Sequence, residues 1–352
     1  MTPLEQKLDA LLADPLEAAR ADGRAIGYVG GDVPVDLLLA TGRAIAHLPW
    51  NVGQPTPRAD GWLESSFPGW AQSMLEDWAA GRFDCFAQVV FSRGNDVAQR
   101  LYYYVCELQR GGQLAGPEPL IFDIAYIPRD ASLRHTEAAL HRLAVQLGVD
   151  ATALAAGIVQ ANRLRGTLER LEAGRVANGS LYEKLVRASL FADVTALLPT
   201  CALPDASPAR CRVLLAGSSP PDGRLHEAVD ATGAAVIAEL HELASARLGP
   251  VIDAAAADPF DAIARQRRQA PIGPRSFGDP AARLADWVRR TRAQAVLLWL
   301  TQDDEALAWH LPAQREALAQ AGIPVLSMSA RRWDAGDGAA ADIAAFLKGV
   351  TP

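Results

Sequence analysis

Four polar residues, Arg93-Gly94-Asn95-Asp96, stand between a short apolar run, Gln88-Val89-Val90-Phe91, and a stretch of helical period reaching Tyr104. An apolar run followed by that period reads as a strand of a parallel sheet leading into a helix. The turn then lies at the carboxyl end of a strand and the amino end of a helix. Backbone N–H groups and the helix dipole converge there, and open α/β sheets bind ligands at that edge. Arg93, Asn95, Asp96 and Arg100 are the candidates to line a binding cleft from this side. Across from them, Ser218 and Ser219 follow the apolar run Arg212 to Ala216, and Asp303 and Asp304 follow the run Ala295 to Leu300. The plain alternative is helix capping, by Asn95 or Asp96 in the first turn and by Asp303 or Asp304 in the last.

Other chemistries lack their spacing. Gly27, Gly30 and Gly31 do not make GxGxxG, and GxxxxGK[ST] is absent. His241-Glu242 begins like HExxH, but position 245 is Ser, and Gly217-Ser218-Ser219 is not a GxSxG elbow. The six histidines (47, 135, 141, 226, 241 and 310) show no ligand spacing, and surface or capping roles are expected of them. No catalytic residue is identified this way. The four cysteines, Cys85, Cys106, Cys201 and Cys211, include no CxxC pair and read as reduced, packed thiols.

Composition narrows the class. The 352 residues are half hydrophobic and 21% charged, enough for two α/β domains or one large one. A net charge of -7 argues against a nucleic-acid binder with a basic face. No eighteen-residue apolar run exists, so no membrane span is expected. Thr2, Pro3 and Glu5 make a helix-opening capping box rather than a secretory signal, which points to the cytoplasm.

The elements around these residues alternate. Strands are expected at 26–29, 44–48, 86–91 and 120–122. Helices are expected from Val33-Pro34 through Leu39, from Trp62 to Ala80, and to about Gln109. From Ala131 to Leu198 only helical period is seen, with Asp150 capping one helix and Ser180 with Glu183 boxing another before Pro199. The segment Leu203-Pro204-Asp205-Ala206-Ser207-Pro208 reads as a boundary. Alternation then resumes, with strands at 212–216, 234–238, 295–300 and 324–326 and proline-started helices after Asp258 and Asp279. The expected fold is α/β: parallel-sheet domains at 1–130 and 206–352, joined by a helical block at 131–205. Tyr102, Tyr103 and Tyr104 are consecutive on a helix, so at least one ring must leave the core. With Trp62, Trp70 and Trp78 nearby, this face is expected to meet another subunit.

Several segments, in order, resemble the 2-hydroxyacyl-CoA dehydratase and benzoyl-CoA reductase D-component family. They are Ile26-Gly27-Tyr28 with Pro34, Asp36 and Gly42; Val89 to Tyr104; Pro119 to Ile124 with Pro128; Arg212 to Glu239; Gly322 to Leu326; and Ala341 to Leu347. Asp36 stands where the family has Glu. The resemblance implies two flavodoxin- or Rossmann-like domains, a heterodimer, and an acyl-CoA thioester in the cleft. It also implies a [4Fe-4S] cluster held by three cysteines and charged by an ATP-dependent iron-sulfur activator. The electron would pass to the thioester carbonyl, allowing hydroxide loss, or in the reductase branch to an aromatic ring.

The chain departs from that pattern at the cluster. The first ligand position falls between Ser66 and Gly69, the second is Asn95, and the third is near Asp303, and none of these is cysteine. Thiolates are the usual ligands of such clusters. The expectation is a chain without a cluster of its own, working beside a paralogous subunit that bears one and helping to hold acyl-CoA. The other reading is an independent, cluster-free protein that binds an acyl-CoA or a nucleotide.

Overall fold

The computed structural model describes residues 2–172, 178–197, 209–270 and 277–350. Helix α1 (Pro3–Ala13) opens on the expected capping box, Thr2 Oγ1 accepting from the Glu5 N–H and the Glu5 carboxylate from the Thr2 N–H. Helix α2 (Glu17–Asp22) leads into β1 (Ala25–Val29), α3 (Val35–Leu39) and β2 (Ile45–His47). Next come α4 (Pro57–Trp62), α5 (Gly69–Ala79), β3 (Phe86–Ser92), α6 (Asp96–Arg110) and β4 (Glu118–Phe122). Of the helix expected over 62–80, only 69–79 forms, as α5; Trp62 ends α4, and 63–68 is not helical. Proline disfavours helix in the residue before it and cannot donate a helical N–H, so the chain breaks before Pro68, the N-cap of α5.

Three helices follow, α7 (Asp130–Leu147), α8 (Ala151–Glu172) and α9 (Gly179–Ala188). Asp150 caps α8 through the Ala153 N–H as expected. Asn178, not Ser180, caps α9, because Ser180 is drawn away to donate to Asp230 at 2.5 Å and Glu183 pairs with Arg187. The expected boundary at 203–208 and the stop at Pro199 lie outside the described residues.

The second alternation is β5 (Arg212–Gly217), α10 (Arg224–Asp230), β6 (Ala235–Leu240), α11 (Pro259–Gln269) and α12 (Pro280–Thr291). It closes with β7 (Ala295–Thr301), α13 (Glu305–Ala308), α14 (Leu311–Gln320), β8 (Val325–Arg331) and α15 (Ala339–Gly349). Asp258 and Asp279 cap α11 and α12, each followed by proline.

The strands form two four-stranded parallel sheets, ordered β2-β1-β3-β4 and β6-β5-β7-β8. The fold is α/β with two parallel-sheet domains of the same strand order. In each, connections diverge between the first strand and its third partner, so the carboxyl ends of β1/β3 and of β5/β7 are the topological switch points.

Apolar packing explains where the helices lie. On one face of the first sheet, Phe67, Met74, Trp78, Phe91 and Leu101 share a core. On the other, Ile26, Tyr28 and Val90 meet Leu140 and Leu143 of α7, Ile158 of α8 and Ile263 of α11. Helix α11 follows β6 in the chain yet covers the first sheet, so the two halves are interleaved. Among the tyrosines, Tyr102 and Tyr104 pack against the core and Tyr103 is 56% exposed. Trp78 is buried and donates to the Ala115 carbonyl, while Trp62 and Trp70 are partly buried.

One ion pair crosses this core. Asp36 of α3 is fully buried and takes both Nη groups of Arg165 of α8, at 2.8 and 2.7 Å. Such a pair is weak net stabilisation, but half of it is a buried uncompensated charge. Arg165→Met is expected to lower unfolding stability by about 3–5 kcal/mol. Chemical denaturation checks this, and Asp36→Leu with Arg165→Met should recover a large part of the loss.

Candidate functional site

The first switch point is filled by the protein's own side chains. After β1, Asp32 is buried and accepts hydrogen bonds from Ser92 Oγ and Tyr126 OH. Burial raises its pKa, with the two hydroxyls opposing. From the loop after β6, Glu242 reaches across: the Gly31 N–H donates to its Oε1 at 3.0 Å and Asn95 Nδ2 to its Oε2 at 2.6 Å. A Cβ on Gly31 would overlap the Glu242 carbonyl, so only glycine lets the loops come this close. Burial pushes the Glu242 pKa up to about 7; the Asp32 charge adds to this, and the Gly31 N–H and Asn95 amide oppose it.

The second switch point opens instead on a cavity of about 810 Å³. Ser218, Ser219, His241, Glu242 and Asp304 line its sheet edge; Arg165 and Glu172 of α8 and Arg283, Trp287 and Arg290 of α12 line its walls. Ser218 Oγ donates to Asp304 at 2.9 Å and accepts from the Thr301 N–H at 3.1 Å. Burial raises the pKa of Asp304 and of Asp303. Glu172, bonded by Ser245 and by Tyr182 OH, is pushed up to about 7 by burial. Behind the cavity, Glu239 Oε1 lies 3.0 Å from His226 Nε2 and 3.2 Å from His241 Nε2.

The candidates from the sequence are thus dispersed. Ser218, Ser219 and Asp304 line the cavity; Arg93, Asn95, Asp96, Arg100 and Asp303 do not. Asn95 is the N-cap of α6, accepting from the Ala98 N–H at 2.8 Å, and also the bridge to Glu242. Arg93 pairs with Asp123, which also holds His135. Arg100 bonds Glu64 and Ser66 at 2.8 and 2.9 Å and lies over the Phe67 ring. Asp96 is exposed at the start of α6. Asp36 is the core ion pair. Arg165, on the far side of that pair, is the group that reaches the cavity.

Sequence reasoning finds no role for Asp32, Glu172 and Glu239, and sets His241-Glu242 aside once the HExxH spacing fails. Surface or capping roles do not describe His47 and His226, which are buried. One signal was present: His241-Glu242 directly follows an apolar strand, the position that flagged Asn95.

The three positions where the resemblance puts cluster ligands offer no thiolate. Asn95 uses both ends of its carboxamide, Ser66 is held by Arg100, and Asp303 is a carboxylate. Of the cysteines, Cys85 and Cys106 are half-buried and Cys211 is buried in the second core; burial raises the pKa of each. Cys201 lies outside the described residues. Among the described residues, no group of three or more His, Cys, Asp or Glu could hold a metal ion. These residues do not fit an iron-sulfur cluster. No single described helix is long and apolar enough to cross a membrane.

Set against protein-family models, the chain matches 2-hydroxyglutaryl-CoA dehydratase, D-component, over residues 31–347, a span that begins just after β1 and includes the other three strands of the first sheet, the whole second sheet and the cavity. No curated protein matches it.

The Glu242 carboxyl makes stability depend on pH. Its pKa rises from 4.5 to about 7 on folding, so between these values the folded state holds more protons and stability falls as pH rises. Glu242→Gln removes that term. Because the group is only partly shielded, the variant should gain on the order of 1–2 kcal/mol relative to the parent between pH 5 and pH 8. Denaturation at the two pH values measures the difference; a gap that stays constant would contradict the assignment.

Proposed function

Because the chain belongs to the 2-hydroxyglutaryl-CoA dehydratase D-component family, matched over residues 31–347, we propose that it is the cluster-free subunit of a dehydratase- or benzoyl-CoA-reductase-like complex, holding an acyl-CoA thioester in the cavity beside Ser218. Family membership supports a subunit of a dehydratase-like complex. The finer reading is carried by one observation, the 810 Å³ cavity at the carboxyl edge of the second sheet's switch point. Its size lies within the range of small-molecule and cofactor sites, roughly 300–1,000 Å³. Arg268, Arg283 and Arg290 give its walls guanidinium groups suited to phosphate oxygens, Arg268 also paired with Asp130 and Arg290 lying over the Trp287 ring, and Phe277 offers a flat apolar face for a base. The thioester end would then lie toward Ser218 and Asp304, at the strand ends.

Electron transfer belongs, on this reading, to a paralogous partner that carries the [4Fe-4S] cluster and is charged by an ATP-dependent activator. This chain contributes binding and orientation. The exposed ring of Tyr103 on α6 offers a contact for that partner.

Calorimetric titration of the chain with acyl-CoA thioesters tests the reading. At least one thioester should bind, and Arg283→Ala with Arg290→Ala should weaken it by about tenfold to a hundredfold, the loss of one or two charge-assisted contacts. Equal affinity in the double variant, or no binding with or without the partner, would overturn it.

A further inference from the structure

We propose that Ser219, His241 and Glu239 form a nucleophile, base and orienting carboxylate that give this chain an acyl-transfer activity, the hydrolysis of an ester or thioester. Electron transfer by a partner needs no such chain. That the acyl carrier is CoA rests on the function proposed above; the nucleophile does not.

The arrangement begins at Gly217, the last residue of β5. Its φ of +117° and the Trp299 carbonyl beside it leave no place for a Cβ, so the chain turns sharply out of the strand and presents Ser218 and Ser219 at the cavity. The two serines have different partners. Ser218 is committed to Asp304 and Thr301. Ser219 Oγ lies 3.1 Å from His241 Nδ1.

The state of that imidazole follows from its neighbours. The Leu243 N–H points at His241 Nδ1 from 3.2 Å, so this nitrogen carries the lone pair and the ring proton sits on Nε2. Nε2 faces Glu239 Oε1 at 3.2 Å. The hydroxyl of Ser219 therefore shares the Nδ1 lone pair with the Leu243 N–H, and the Glu239 carboxylate stands beside the opposite nitrogen, close enough for an ion pair but not aligned for a hydrogen bond. Glu239 is buried on β6; burial works to raise its pKa, and the two imidazoles beside it, His241 first when it carries a proton, work to lower it. Ser219 and His241 line the cavity, and Glu239 lies behind them. This is the order a nucleophile, its base and the group that orients the base require.

The chemistry balances with water as the only co-reactant. Ser219 Oγ attacks the acyl carbonyl as its proton passes to His241 Nδ1, and Glu239 stabilises the imidazolium. The carbon–oxygen or carbon–sulfur bond breaks, and the leaving alcohol or thiol takes that proton. Water then attacks the acyl-serine, giving its proton to His241, and the carboxylic acid leaves as the serine hydroxyl is re-formed.

The test treats the folded chain with a fluorophosphonate probe and locates the adduct by peptide mass spectrometry, alongside hydrolysis of p-nitrophenyl acetate and acetyl-CoA. The expected result is a single adduct on Ser219 and measurable ester hydrolysis. Ser219→Ala should lose both, and His241→Gln should slow both by at least about 100-fold, the scale of general-base assistance. Thermal denaturation confirms that each variant folds. Ester hydrolysis without acetyl-CoA hydrolysis upholds the nucleophile. If CoA thioesters also bind, it limits the acyl carriers that react without touching the binding role. No adduct on Ser219, or hydrolysis by Ser219→Ala at the parent rate, would overturn the proposal.

Discussion

A carboxyl group inserted between two sheets sets the geometry of the whole site. Glu242 leaves the end of β6 and is bonded by the Gly31 N–H after β1 and by Asn95 after β3. Removing a carboxylate from water costs free energy unless it is hydrogen-bonded or protonated, and here both operate. Asp32 beside it is more deeply buried, and its charge adds to the upward push on Glu242. The first switch point is thereby used up in joining the halves of the chain, and Gly31 is what permits the approach. Only the second switch point stays open, and it is the one that meets the cavity. The ion pair of Asp36 with Arg165 works in the same direction, fixing α8 as a shared wall of core and cavity.

The architecture was readable because it depends on periodicity. Apolar runs such as Val89-Val90-Phe91 and Val296-Leu297-Leu298 are buried strands, and Asp258-Pro259 and Asp279-Pro280 open helices where that pairing predicts. Capping was less legible when a distant group competed. Ser180 has the spacing of a cap, yet Asp230, fifty residues on, captures its hydroxyl and leaves the role to Asn178. The break before Pro68 is written locally, but Phe67, Trp70, Met74 and Trp78 fall at helical spacing across it. All four pack into one core even though Phe67 lies outside α5.

The site was legible only in part, for a related reason. Position after a strand found Asn95, Ser218 and Asp304, because switch points sit at strand ends. It did not reveal that Asn95 is spent on a bridge, since its partner Glu242 is 147 residues away. Nor could spacing show that His226 and His241 converge on Glu239, because only the register of β6 against α10 brings them together. A failed HExxH match drew attention away from His241-Glu242, two residues whose importance lies in where the strand ends.

The proposed lack of a cluster follows the same pattern. Asn95 stands at a position where the resemblance puts a cluster ligand, and both ends of its side chain now serve the helix cap and the bridge to Glu242. A residue that ties the sheets together cannot also be a soft ligand to iron. As proposed above, this family member binds thioester and leaves the cluster to its partner. Anaerobic purification of the chain alone and with its paralogue, with iron analysis and visible spectroscopy of each, tests it most directly. The chain alone should be colourless and iron-free, with iron following the partner. A cluster spectrum with stoichiometric iron on the isolated chain would contradict it.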